Sequence, residues 1–221
     1  MLGLDTSAAL CSVAIYRENR MVEDTRLVER MHNRVVLEMI DGLCRRADIA
    51  SGQLDAVAFA CGPGSFTGIR ISAAVAQGIA FANNALIYPI PSSLVLAHAA
   101  RERAVSCSAE GVLTVIRSRK KAFYLAGYAL DQGELTAVID DGLFEGDDPP
   151  ESLELAGWVV VGDEPPWWER VVDLRYDAEP KILASTVCEL GLRRHKRGEG
   201  LDASEGLPTY VAGDSPWSPQ S

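Results

Sequence analysis

Histidine is scarce in this 221-residue chain: His32, His98 and His195 are the whole complement, and no two stand three or four residues apart. The usual helical pair of metal ligands is therefore missing. His98, in an apolar helical stretch, reads as a core residue. Cysteine is sparse too. Cys11, Cys44, Cys61, Cys107 and Cys188 are scattered, odd in number and contain no C-x-x-C pair. That argues against a zinc site or a disulfide frame, and predicts reduced thiols in a cytoplasmic protein. No long hydrophobic run is present. Ile71 to Ala100 carries no Asp, Glu, Lys or Arg, but its continuous apolar and small part ends at Ala82, too short to span a bilayer. Met1-Leu2-Gly3-Leu4-Asp5 lacks the basic flank and apolar core of a signal peptide. Positive charge is in deficit, with 21 Lys and Arg against 31 Asp and Glu and a formal net charge of −10. Such a chain is a poor lone binder of RNA, because that affinity comes from cations neutralising phosphates. Three basic clusters remain, at Arg45-Arg46, Arg117 to Lys121 and Arg193 to Arg197. Each reads as solvated surface, and matters to RNA only if a partner brings RNA near.

What is present suits a globular α/β protein, with 48% hydrophobic and 24% charged residues and a length for one large or two small domains. Met1 to Leu4, Leu10 to Tyr16 and Met21 to Val28 predict three tightly joined antiparallel strands. From His32 to Arg46 the period changes, and Val36, Met39, Ile40 and Leu43 share one helical face. A buried strand is expected at Leu54 to Cys61, a small-residue helix at Ile71 to Ala82, a strand at Leu86 to Ile90 and a helix at Ser92 to Arg103. Val105 to Glu110 reads as a linker. Strands follow at Val112 to Ile116, Phe123 to Leu130, Leu135 to Asp140 and Trp158 to Val161, then a helix at Pro180 to Arg194. The tail from Gly198, ending Pro216-Trp217-Ser218-Pro219, reads as frayed. The order suggests two related α/β lobes, over 1–103 and 104–221.

Between the buried strand and the small-residue helix lies Gly62-Pro63-Gly64-Ser65-Phe66-Thr67-Gly68-Ile69-Arg70. A glycine-rich turn from strand to helix is where backbone N–H groups gather on an anion. The candidate phosphate loop is Asp5, Thr6, Gly62, Gly64, Ser65, Thr67 and Gly68. Its spacing fits no standard motif. A P-loop needs a lysine after its last glycine, and Ile69-Arg70 stands there. Gly62, Gly64 and Gly68 are one residue too long for a dinucleotide fingerprint, and no acid follows at the required distance. Ser65 lacks the flanking glycines of a nucleophile elbow. The helix that follows is small on nearly all sides, through Ala73, Ala74, Ala76, Gly78, Ala80 and Ala82. It is either deeply buried or partly covered by another chain.

Asp5-Thr6-Ser7, His32 and the nine-residue glycine segment, followed in order by Gly162-Asp163, Pro180 and Leu207-Pro208-Thr209-Tyr210-Val211, resemble the TsaB (YeaZ) family over essentially the whole chain. The resemblance implies the two-lobed actin/Hsp70-like (ASKHA, ribonuclease H-like) fold, with 1–103 as the lobe carrying the glycine loop and partner helices and 104–221 as a smaller degenerate lobe whose C-terminal segment packs back on the first. It implies a non-catalytic scaffold that works with TsaD and TsaE to make threonylcarbamoyladenosine in tRNAs reading codons that start with A. TsaD-like catalysts carry an H-x-x-x-H metal pair in the first helix; here His32 is followed at that spacing by Val36. No metal or other cofactor is implied, and a nucleotide only weakly or at a partner interface. A homodimer is implied in isolation, with tRNA met only through the complex and no membrane. The alternatives are a nucleotide-binding ASKHA enzyme and, behind it, a glycoprotease-like metallopeptidase. Candidate interface residues are Val35, Met39 and Leu43 on the first helix, and Arg70, Ile71, Val75 and Ile79 at and along the second. The competing reading is that these side chains fill the chain's own core.

Overall fold

The computed structural model describes residues 1–28, 32–119, 121–150 and 155–211. Lys120, Ala212 and the Pro216 to Pro219 tail lie outside the described residues. The chain divides into two compact units, Met1–Val95 with Ile182–Thr209, and Leu96–Lys181 with Tyr210 and Val211.

Unit 1 is built on β1 (Leu2–Asp5), β2 (Leu10–Arg17), β3 (Arg20–Leu27), β4 (Ala56–Gly62) and β5 (Leu86–Pro91), in the order β3-β2-β1-β4-β5. The first three form the expected antiparallel meander, with Leu4 opposite Val13 and Ile15 opposite Val22. β4 runs parallel to both β1 and β5. Because side chains alternate across a strand, Leu2 and Leu4 point to one face while Gly3 points to the other. On the first face they meet α1 (His32–Arg46) and α2 (Phe66–Asn83), packing with Val57, Phe59, Val36, Met39, Leu43, Ala73 and Ala76. On the second face lies α4 (Ala184–Lys196), close enough that a Cβ on Gly3 would stand 2.6 Å from the Cys188 sulfur.

Unit 2 repeats the plan. β6 (Gly111–Arg119), β7 (Ala122–Asp131) and β8 (Glu134–Glu145) form an antiparallel meander, and β9 (Trp158–Gly162) and β10 (Arg175–Asp177) add in parallel beside β6. Where unit 1 places α2 between its fourth and fifth strands, unit 2 has a single 3-10 turn, Trp168–Arg170. Trp167 fills the core there, fully buried and edge-on to Phe144. Gly162 and Asp163 clip β9 to β6: Asp163 N–H donates to the Val115 carbonyl at 2.8 Å, and its Oδ2 accepts from Arg117 N–H at 2.7 Å.

Several expected boundaries move. α2 begins five residues before Ile71, because Ser65 caps it and its hydroxyl accepts from Gly68 N–H. α3 (Ser92–Ser106) runs into the expected linker. α4 starts at Ala184 rather than Pro180, since Leu183 is still extended. The sequence places a lobe boundary at residue 103 with the C-terminal segment packing back on the first lobe; the structure divides within α3, and Ile182–Thr209 lies in unit 1. Burial of Ala184, Val187 and Cys188 ties α4 to that first sheet.

Candidate functional site

The glycine segment and the β1–β2 turn brace each other. Ser65 N–H donates to the Ser7 carbonyl at 2.7 Å. Thr6 Oγ1 donates to the Gly68 carbonyl at 2.7 Å, and Thr6 N–H donates to Ser72 Oγ at 3.0 Å. The fit allows no side chain at two glycines: a Cβ on Gly64 would stand 2.8 Å from Ser7 atoms, and one on Gly68 would overlap the Thr6 carbonyl oxygen. Gly62, at φ +119°, is backed by the chain's return segment, where Thr209 N–H donates to the Cys61 carbonyl at 2.8 Å. Asp5, Thr6, Gly64, Ser65 and Gly68 are thus brought together, Gly62 sits at the edge against Thr209, and Thr67 is exposed on the first turn of α2. Thr67 and Gly68 belong to the helix rather than to a loop. Sequence reasoning missed Ser72, which one turn after Gly68 on the buried side of α2 takes the Thr6 N–H; the spacing Gly68 to Ser72 was the available signal.

Asp5 ends β1 with no solvent exposure. Its Oδ1 accepts from Ser7 N–H at 2.9 Å and from Ser7 Oγ at 2.6 Å, while Oδ2 is buried with no hydrogen-bond partner among the described residues. Burial pushes this carboxyl up to about 6, against the pull of the two Ser7 hydrogen bonds.

The partner-helix candidates separate into two kinds. Met39 and Leu43 are 0% and 1% exposed and lie in the core of unit 1, so they are corrected from interface to core. A periodic apolar face reads the same in sequence whether a chain's own sheet or another chain covers it. Val35, Ile71, Val75 and Ile79 are half-buried at the margin of that core. Between and beside the half-buried residues of α2 runs an exposed stripe at helical spacing, Thr67, Arg70, Ala74, Gly78 and Phe81. A Cβ on Gly78 would meet nothing within 4 Å, and Phe81 is 83% exposed. Leu37 on α1 is also exposed. Phe81 and Leu37 were missed because the sequence reads α2 as apolar all round and α1 by its inward face. Arg70, the stripe's cation, sits over the Phe66 ring, 3.4 Å from its centre.

The basic clusters are largely engaged locally. Arg45 pairs with Asp41, Arg119 with Glu145, and Lys121 with Asp147. Arg194 donates to the Pro89 carbonyl. Among the described residues, no group of three His, Cys, Asp or Glu side chains is placed to hold a metal ion, and no helix is long and apolar enough to cross a membrane.

A family model described as TsaD, tRNA N6-adenosine threonylcarbamoyltransferase, matches residues 25–147. The tRNA threonylcarbamoyladenosine biosynthesis protein TsaB of Haemophilus influenzae is 37% identical over 57% of this chain, and the aligned part spans 52% of that protein. TsaB of Buchnera aphidicola from Schizaphis graminum is 36% identical over 77% of this chain and 80% of its own length. A crystal structure from Pseudomonas aeruginosa, titled as an uncharacterized protein with similarity to peptidase YEAZ, superposes with a TM-score of 0.84 at 31% identity, covering 95% of this chain and 98% of that one. With its two meander-plus-parallel sheets of the actin-like fold, the chain belongs to the TsaB (YeaZ) family.

Proposed function

We propose that this chain is a non-catalytic scaffold subunit in the synthesis of threonylcarbamoyladenosine in tRNA, docking a TsaD-type catalytic partner and, with it, a TsaE-type ATPase. On this reading the modified tRNAs are those reading codons that start with A, and RNA is met in the complex. The observation that carries the reading is the exposed stripe of α2. Ala74 and Gly78 let another helix approach closely, Ile71 and Val75 flank them, and Phe81 supplies a large apolar anchor. Arg70 is the cation there for a partner carboxylate. The same stripe, with the exposed Leu37 of α1, pairs two copies of the chain when no partner is present. Val36 supports the non-catalytic part, since it stands where the resembling catalysts carry the second histidine of a metal pair.

The glycine segment has a structural role on this account. Its inward-turned groups hold the start of α2 against β1, which sets the angle at which the stripe is presented. The test is a threonylcarbamoyl-transfer assay on tRNA. The purified chain alone is expected to give no product, and to support product when TsaD-type and TsaE-type partners are added. Transfer by the chain unaided sinks the proposal.

A further inference from the structure

Three arginines converge where the β2–β3 turn meets the C-terminal end of α1. Arg17, Arg20 and Arg46 line a cavity of about 340 Å³ together with Glu18 and Asp48, over Ile15. The register explains the convergence. Arg17 and Arg20 are directly opposite each other across the hairpin, two residues beyond the Ile15–Val22 pair and so on the same face as α1. Like charges placed opposite in a hairpin disfavour it, and this one occurs in a chain of net charge −10.

The three guanidiniums are unequally engaged. Arg17 donates to the Ala47 and Asp48 carbonyls at 3.0 and 2.6 Å, capping α1, and pairs with Glu18 at 3.2 Å. Among the described residues, Arg46 reaches only the Glu23 main-chain carbonyl, at 3.4 Å. The Glu23 carboxylate is turned to the opposite face of the sheet, where its Oε1 accepts from Ser12 Oγ and from Ser185 N–H. Arg20 has no hydrogen-bond or ion-pair partner among the described residues. The lining therefore carries three cations against two carboxylates, with the donors of Arg20 and most of those of Arg46 unspent. A second cavity, of about 380 Å³, shares Ile15, Arg17 and Glu18 with the first and adds the carboxylate of Asp55.

We propose that this groove is a subsite for the phosphates of an RNA backbone, with Arg20 and Arg46 donating to non-bridging phosphate oxygens and Arg17 held as the fixed cation beside them. Planar guanidiniums suit paired phosphate oxygens, and two of them with unspent donors give a strand two points of contact. The inference rests on the reading that the chain works beside tRNA.

The test is fluorescence anisotropy of labelled tRNA with the full-length chain, alone and with its TsaD-type partner, at about 50 and about 200 mM salt. The variant Arg20→Gln/Arg46→Gln is expected to bind about tenfold more weakly at the lower salt and to flatten the slope of log affinity against log salt by about two, one for each lost phosphate contact. Arg197→Gln, just past the end of α4, is expected to change neither. Unchanged affinity and slope in the double variant overturn the subsite, as does failure of the wild type to bind RNA in either setting. Displacement of inorganic phosphate from the wild type, with RNA affinity unmoved by the variant, marks a free-phosphate site and also overturns it. Co-elution with the partner is measured on the same variant. Lost co-elution assigns the arginines to the protein interface and overturns the subsite. RNA binding through these arginines by a chain that never binds the partner sinks the scaffold reading and leaves the subsite standing.

Discussion

The carbonyl oxygen of Thr6 occupies the space that a Cβ on Gly68 would need, and accepts no substitute for hydrogen at that position. The neighbour is main chain, so it cannot rotate aside. Gly68→Ala is expected to cost about 3 kcal/mol or more in urea unfolding, at the upper end of overpacking. Gly78→Ala, two to three turns along the same helix in open space, is expected to stabilise the fold by about 0.5–1 kcal/mol, the ordinary helix gain of alanine over glycine. Equal effects at the two glycines would contradict the bracing of α2 on the β1–β2 turn.

Asp5 gives the fold a pH dependence of a definite sign. Its carboxyl titrates near 3.8 when unperturbed and at about 6 when folded, so the folded state binds the proton more tightly. Its contribution to stability is full below about pH 4 and is lost as the pH rises through about 6. The shift corresponds to about 3 kcal/mol. Asp5→Asn keeps an oxygen for the two Ser7 donors and removes the titration. Relative to wild type, its melting temperature is expected to rise by several degrees between about pH 4 and about pH 7, at roughly 2–4 °C per kcal/mol for a chain of this size. Parallel melting profiles across that range would contradict the burial account.

Core and docking residues of the two helices are separable. Met39→Ala, at a fully buried site, is expected to cost about 2–5 kcal/mol in denaturant unfolding. Ala74→Arg, on the exposed stripe, is expected to leave the melting temperature within about 2 °C, since surface changes stay within about 0.5 kcal/mol. The same variant is expected to weaken co-elution with a TsaD-type partner at least about tenfold, or about 1.4 kcal/mol.

Much of the fold was legible in the sequence because local signals and tertiary outcome agree. The β1–β3 meander has tight polar turns and alternating side chains, and the small-residue run of α2 suits a helix whose inner face packs closely on its sheet. Gly68 was misread because glycine ordinarily punctuates loops; here it is the price of contact with Thr6, and only the partner strand reveals that. α4 falls within 104–221 in sequence order, and nothing in its own sequence names the sheet that buries Cys188. Three-residue β10 carries too short a pattern to show. At the site, the nine-residue glycine segment announced the family, yet which of its groups turn inward was set by Ser7 and Ser72, far apart in sequence. The exposed stripe of α2 was half visible: Ile71, Val75 and Ile79 are half-buried along its flank, while Ala74, Gly78 and Phe81 form its exposed surface.

The central claim is that the chain contributes a docking surface rather than a phosphate-handling loop. The direct measurement is threonylcarbamoyl transfer to tRNA by the reconstituted chain, TsaD-type and TsaE-type proteins, comparing Ala74→Arg with Thr67→Ala at matched stability. The account predicts that Ala74→Arg weakens co-elution and transfer together, each at least about tenfold, whereas Thr67→Ala, which removes an exposed hydroxyl on the first turn of α2 and adds no bulk to the stripe, leaves transfer within about twofold, or about 0.4 kcal/mol. Full transfer by Ala74→Arg, or its loss in Thr67→Ala with docking intact, would contradict it.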